Sequence, residues 1–203
     1  MKPVIIIGSG GHARVLLDIL LRKSQAILGF TDLPHQKNSL SPPFLNIPLI
    51  GSDEQIFNYP PDAIHLVNGL GMIPGPGLFR RRDIYQKFKD YGYTFATIVH
   101  PSAVIAEDVI LSEGVQVMAG AVIQTGSVIG ENCIINTRTA VDHDTVLGRH
   151  VHLAPGTTVC GNVTIGEGSF VGAGSTIIPG IKIAANSIIK AGSLIKYKLD
   201  TPY

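Results

Sequence analysis

The chain has 203 residues, of which 45% are hydrophobic and 15% charged, a globular composition with room for one large domain or two small ones. A net charge of +1, with neither half polybasic, gives no electrostatic basis for nucleic acid or an acidic membrane as partner. No stretch reaches membrane-spanning length, the apolar run Val4–Ile7 is much shorter than a signal-peptide core, and the two cysteines, Cys133 and Cys160, are not spaced for a disulfide, so a cytoplasmic location is expected.

In chain order, Val4-Ile5-Ile6-Ile7 reads as a strand buried on both faces of a parallel sheet. Gly8-Ser9-Gly10-Gly11-His12-Ala13 follows at once, and then Val15, Leu16, Ile19 and Leu20 recur at helical spacing. A second strand over 26–30 ends in Thr31-Asp32. The spacing meets the dinucleotide fingerprint, with Ala13 in its last glycine place. Gly8 and Gly10 let the backbone approach a phosphate at the helix start, and Asp32 can accept hydrogen bonds from a ribose. A tight strand-to-helix turn favours glycine for its own sake as well. Prolines at 42, 43, 48, 60 and 61 interrupt the middle of the region. A third strand over 64–67 runs into Asn68-Gly69-Leu70-Gly71, and a loop over 73–77, a helix over 78–91 and a fourth strand over 95–99 complete it. Three or four strands suit a mononucleotide or a nucleotide-sugar better than NAD. The cluster Arg80-Arg81-Arg82, with Lys87 and Lys89, is expected to be a solvated helix face. His35 and His65 have no informative setting, and His100-Pro101 reads as a linker, which places the domains at 1–99 and 100–203.

From Ile105 to Ile195 an aliphatic residue occupies every sixth position, sixteen times in succession. The position two before each is small or β-branched, and the third after is often Gly or Asn, which tolerate left-handed backbone angles. Neither a helix period nor simple strand alternation gives this pattern, whereas the short strands and regular corners of a β-helix do. Three strands make a coil of eighteen residues. About five coils then stack at the strand spacing of ~4.8 Å, with three internal ladders headed by Ile105, Leu111 and Val117. Polar residues depart from the repeat most clearly at Asn136, Asp142, His143, Asp144, Arg149, His150 and His152. His143 falls at a corner and projects outward, with Thr125 and Gly161 one coil to either side, and the small Gly161 is expected to leave room for a substrate. His143, His150 and His152 lack the spacing of a zinc protease, and no metal site is assigned.

Ile165-Gly166-Glu167-Gly168-Ser169 and Val171-Gly172-Ala173-Gly174-Ser175 resemble the repeats of hexapeptide acyltransferases. The chain also has the Gly-Ser-Gly-Gly-His-Ala turn, an acidic residue after the second strand, a Gly-Leu-Gly turn and Ile-Val-His-Pro-Ser-Ala-Val-Ile leading into the repeats. With Asn136-Thr137 and Val141-Asp142-His143-Asp144, nearly its whole length resembles the NeuD-type sugar O-acyltransferases. That group includes enzymes that acetylate amino groups of nucleotide-linked deoxyamino sugars and others that act on sialic acid hydroxyls. The resemblance implies an α/β plus all-β fold, a small Rossmann-like N-terminal domain followed by a left-handed parallel β-helix. It further implies a homotrimer with acetyl-CoA between neighbouring prisms and a nucleotide-sugar on Gly10, Gly11, His12 and Asp32. His152 and Gly161 would line the acetyl-CoA site, with Ala191 near the pantetheine arm. Where some relatives have two acidic residues in succession, this chain has Asp32-Leu33.

Acyl transfer from a thioester needs a base to take the acceptor's proton, and an imidazole suits neutral pH. His143 is the candidate. Asp144 or Asp142 would orient its ring, the family's acidic residue after the histidine favouring Asp144. Backbone N–H groups or Asn136 are the candidates to face the acetyl-CoA thioester and hold its oxyanion. Cys160, one coil beyond Asp142, could offer a covalent route, though a small side chain in a repeat slot is more often packing. The leading reading is direct acetylation of the amino group of a nucleotide-activated deoxyamino sugar. Alternatives are O-acetylation of sialic acid or another glycan hydroxyl, and a trimeric scaffold that only binds a nucleotide-sugar.

Overall fold

The computed structural model describes residues 2–32, 46–72, 74–75 and 79–202; His35 and most of the expected loop over 73–77 lie outside them. The chain divides into two compact units, Met1–Ile73 with Gly77–Ile98, and Val99–Tyr203 with Pro74–Pro76.

The first unit is built on a parallel sheet of strands β1 (Val4–Ile7), β2 (Ile27–Thr31), β3 (Leu49–Gly51) and β4 (His65–Asn68), in the order β3-β2-β1-β4. All four residues of β1 are buried, as its uniformly apolar sequence requires. Helix α1 (Gly11–Arg22) turns Ala13, Leu16, Leu17, Ile19 and Leu20 inward and leaves Val15 exposed. Helix α2 (Arg80–Asp90) buries Tyr85 and Phe88 beside Ile56, Tyr93 and Phe95. Strand β3 was not anticipated, because the prolines obscure it. Pro48 sits just before it, at the sheet edge where a missing N–H costs least, and accepts from the Phe30 N–H at 3.0 Å. Gly29 permits this approach: a Cβ there would stand 2.6 Å from both the Pro48 carbonyl oxygen and Ile50 Cγ1.

Two expectations are corrected. The run 95–99 is not one strand. Residues 94–96 join β4 through a single bridge at Leu66 and Phe95, with the Leu66 N–H donating to Thr94 O and the Ala96 N–H to Leu66 O. Ile98–Val99 then forms a two-residue strand in a different sheet. Nor is the arginine cluster a uniformly solvated face. Arg81 is buried, and its Nη1 donates to the carbonyls of Asn68 at 2.8 Å and Leu70 at 2.6 Å, while Asn68 Nδ2 donates back to Arg81 O at 3.0 Å.

The second unit is a three-faced parallel β-helix of two-residue strands. One sheet holds six strands from Val104–Ile105 to Leu194–Ile195, and a second holds five from Ile110–Leu111 to Lys182–Ile183. The third holds six, from Ile98–Val99 through Gln116–Val117 to Ile188–Ile189. Each aliphatic pairs with the one eighteen residues on, as in Ile129 with Leu147 and Leu147 with Ile165, so the three ladders run as the period predicts. From Val117 to Ile195 they form one buried core.

Two further columns explain the other repeat positions. The small residue before most strands is buried at a corner, and from residue 127 to 175 its polar side chain donates fifteen residues ahead, while Ser187 and Ser193 donate three residues back, to Ala184 O and Lys190 O. Ser127 Oγ donates to Asp142 O at 3.1 Å, Cys133 Sγ to Gly148 O at 3.1 Å, and Ser169 Oγ to Ala184 O at 3.0 Å. The third residue after each aliphatic takes a positive φ in every coil from Gly114 to Gly192. Its N–H donates down to the coil below, as Asp144 does to Thr125 O at 3.0 Å and Asn162 to His143 O at 2.9 Å.

Ile165 is fully buried in its ladder and its neighbour Thr164 faces outward. Ile165→Ala should therefore cost roughly 2–5 kcal/mol in urea unfolding, and Thr164→Ala less than about 0.5 kcal/mol.

Candidate active site

A cavity of about 360 Å³ opens in the first unit at the C-terminal ends of β1 and β4. There the strand order reverses, from β2 on one side of β1 to β4 on the other, which is where parallel α/β sheets bind ligands. Its lining includes Gly8 to His12, Asp32, Asp53, Gly69 to Gly71 and Arg80. Gly10 and Gly11 face open space, with nothing within 4 Å of an added Cβ, so backbone is what they present at the start of α1. Gly69 is needed for packing instead: a Cβ there would meet Ile7 O at 2.5 Å and Ala13 Cβ at 2.8 Å. Asp32 accepts a hydrogen bond from the Ser9 hydroxyl, and Asp53 accepts one from Thr31 Oγ1 at 2.5 Å.

The cavity thus gathers Gly10, Gly11, His12 and Asp32. It adds Asp53 and Arg80, which the sequence reading missed. Asp53 follows the hidden strand β3, so it had no place in the pattern. Arg80 was submerged in its basic cluster.

In the second unit the corner after strand Ala140–Val141 carries Asp142, His143 and Asp144, all exposed. His143 Nδ1 and Asp144 Oδ2 are 2.8 Å apart. An ionised carboxylate only accepts, so Nδ1 carries the proton and Nε2 is left as the basic nitrogen. The hydrogen bond to Asp144, with the nearby charges of Asp142 and Asp144, raises the pKa of His143 above its ordinary 6.5, against a smaller opposing effect of desolvation. Asp142 has a different task, accepting from the His143 backbone N–H through Oδ1 at 2.8 Å. The geometry therefore separates the two carboxylates that the sequence left in competition. Gly161 lies against the His143 ring, so the room above His143 is filled by its own imidazole and not left to a substrate, as the sequence reading had expected.

Asn136 and His152 meet on another face, built by strands Ile134–Ile135 and His152–Leu153. Asn136 Nδ2 and His152 Nε2 stand 3.3 Å apart, and Asn136 Oδ1 accepts from the Thr137 N–H at 2.8 Å. Phe170, one coil above His152, packs edge-on against its ring at 5.1 Å. Within one chain, then, Asn136 and His143 occupy different corners, and Ala191 is exposed on the corner after Ile189. His150 is buried with its Nδ1 3.0 Å from Asn132 Nδ2. Cys160 is partly exposed beside Gly161. Among the described residues, no three His, Cys, Asp or Glu side chains are grouped to hold a metal ion, and no helix is long and apolar enough to cross a membrane.

These features place the second unit among the hexapeptide transferases: residues 126–161, 144–178 and 162–196 match the bacterial transferase hexapeptide family, and residues 3–87 match the PglD N-terminal domain. The structure of PerB from Caulobacter crescentus, determined with CoA and GDP-perosamine, is 34% identical, as is a perosamine N-acetyltransferase from the same organism. The match to PerB has a TM-score of 0.86 and covers 98% of this chain and 91% of that one. The acetyltransferase domain of PglB from Neisseria gonorrhoeae, also known with acetyl coenzyme A, is 28% identical with a TM-score of 0.87, over 98% and 93% of the two chains. WeeI from Acinetobacter baumannii, 19% identical with a TM-score of 0.70 over 96% of each chain, shares the fold. The chain belongs to the NeuD-type hexapeptide-repeat sugar acetyltransferases. Its β-helix is left-handed, and the enzyme transfers an acetyl group from acetyl-CoA to a sugar.

Asp144→Asn keeps a residue that tolerates the left-handed corner but removes the charged acceptor. In an NMR titration His143 should protonate above 6.5 in the native protein and move down toward that value in the variant.

Proposed function

We propose that the acceptor is the amino group of a nucleotide-activated deoxyamino sugar and that His143 is the general base of a direct transfer. The observation that carries this is the His143 Nδ1 to Asp144 contact of 2.8 Å at an exposed corner, which leaves Nε2 as the basic nitrogen of a half-exposed ring. Nε2 takes a proton from the sugar amine as its nitrogen attacks the acetyl carbonyl, and Asp144 stabilises the imidazolium. The tetrahedral oxyanion is held by backbone N–H groups or by Asn136. Collapse breaks the C–S bond, and the CoA thiolate recovers the proton from His143. No acyl-enzyme is needed, so Cys160 serves as packing.

The first unit holds the nucleotide. Phosphate groups sit against the backbone of Gly10, Gly11 and His12 at the start of α1, where the helix dipole favours an anion, and Asp32 takes the ribose hydroxyls. Support for this substrate class comes from the relative that carries GDP-perosamine with CoA, at 34% identity. For the donor, His152, Gly161 and Ala191 line the acetyl-CoA path along with Asn136. Because Asn136 and His152 lie on a different corner from His143, one donor is served best when neighbouring prisms share it. A homotrimer meets that need. The enzyme works in the cytoplasm, supplying an acetylated sugar for polysaccharide assembly.

His143→Ala should lower kcat about 10²- to 10⁴-fold, the usual share of a general base. In the native enzyme kcat/KM should rise with pH as His143 loses its proton and level off above its raised pKa. A thermal-shift screen of UDP-, dTDP- and GDP-linked amino sugars should give stabilisation by one of them. Stabilisation by sialic acid and by no nucleotide-sugar would put hydroxyl acetylation in place of this reading.

A further inference from the structure

Two glycines bracket the His143–Asp144 pair from adjacent coils. A Cβ on Gly161 would lie 2.5 Å from His143 Nε2, 2.6 Å from Cε1 and 3.0 Å from Cδ2, closer than side chains approach one another. On the coil below, a Cβ on Gly126 would lie 2.5 Å from Asp144 Oδ1. The imidazole rests on the backbone of the coil above it, and the carboxylate on the backbone of the coil beneath. Both floors are fixed. The Asn162 N–H donates to His143 O at 2.9 Å and the Gly180 N–H to Gly161 O at 3.0 Å. Below, Asp108 Oδ2 accepts from Thr125 Oγ1 at 2.7 Å and from the Gly126 N–H at 2.9 Å.

The corner itself does not require glycine at position 161. The same slot carries Glu107, Thr125 and Pro179 in other coils, and Gly161 is not among the residues with positive φ. What a side chain at 161 would displace is the ring of His143. Gly126, by contrast, holds a φ of 71°, so its glycine answers to the backbone as well as to Asp144.

We propose that Gly161 is a positioning residue for the transfer reaction: its bare backbone lets the imidazole lie flat enough for Nδ1 to reach Asp144 while Nε2 faces the acceptor. This rests on the reading of His143 as the base. The donor-binding role that the resemblance gives Gly161 makes a different prediction, because loss of donor contacts raises KM for acetyl-CoA, whereas a displaced base lowers kcat.

The test uses the full chain as Gly161→Ala, His143→Ala and the double variant, with kcat, both KM values, Tm and the NMR titration of His143. Gly161→Ala should lower kcat about 100-fold, the scale of a misplacement near 1 Å, an effect larger than any rise in KM for acetyl-CoA from its place on the donor path. It should also bring the titration of His143 down toward 6.5 as the bond to Asp144 is lost. In the His143→Ala background the same substitution should lower kcat far less than 100-fold and leave Tm unchanged, because the ring it collides with is gone. Native kcat in Gly161→Ala overturns the proposal, and so does a loss confined to KM for acetyl-CoA, or an equal fall in Tm in both backgrounds. Should Gly161→Ala not fold alone, the double variant decides through its Tm against His143→Ala, unchanged in support and lowered in refutation. Full activity of His143→Ala would overturn the base assignment and this proposal with it. Loss there, with full activity in Gly161→Ala, overturns this proposal alone.

Discussion

Coil stacked on coil is the constraint from which the rest of the second unit follows. Parallel strands sit ~4.8 Å apart, so every residue touches the one eighteen positions before it and the one eighteen after. Inside, that contact selects aliphatics, which form the ladders from Val117 to Ile195. At the buried corners it admits small polar residues, since the carbonyl of the next coil accepts from their hydroxyls, as Ala184 O does from Ser169. At the exposed corners a bulky group projecting over the next coil meets either a complementary side chain, as Arg149 meets Glu167 at 3.0 Å, or none. His143 over Gly161 is the second case.

The same geometry explains where strain is placed. Most left-handed corners are Gly or Asn, but three successive ones are Arg138, Asp144 and His150, with φ of 57°, 57° and 61°. For residues other than Gly this conformation costs roughly 1–2 kcal/mol, with Asp and Asn among the more tolerant. Glycine would serve the fold better at all three. Local contacts offset part of the cost, since His150 meets Asn132 and Asp144 meets His143. The left-handed backbone also turns the Asp144 carboxylate back along the chain toward the imidazole of the preceding residue. A corner adapted purely for stability would have no carboxylate there.

The β-helix was legible because its signal is repetitive: sixteen aliphatics at one period fix strand, register and corner together, and the period alone places His143 above Thr125 and below Gly161. It did not reveal how the space beside Gly161 is used, because that depends on a rotamer, and no period encodes one. The pairs Asn132–His150 and His152–Phe170 are also eighteen apart and follow from the same ruler once each column is read through. The first unit was harder to read. Its first two strands and glycine turn have strong local signals. Strand β3 is only three residues long and follows a proline, and Asp53 was lost with it. Arg81 was misjudged because charge in a sequence does not distinguish solvent from a cluster of inward-facing carbonyls.

That buried guanidinium bears on how the cavity would suit the nucleotide proposed for it. A pocket with two carboxylates, Asp32 and Asp53, is at first sight a poor host for phosphates. The two kinds of group come from different elements. The carboxylates follow β2 and β3 and are engaged by Ser9 and Thr31, so they act as fixed acceptors suited to hydroxyl and N–H donors of a ribose or base. Gly10 and Gly11 bring the start of α1 to the cavity, with N–H groups that the helix itself does not use, and Arg80 adds a positive charge to the lining. Arg81 draws the carbonyls of Asn68 and Leu70 to itself, which keeps those acceptors from facing a bound anion. The cavity therefore offers both fixed acceptors and N–H and guanidinium donors, the combination that the proposed nucleotide-sugar calls for.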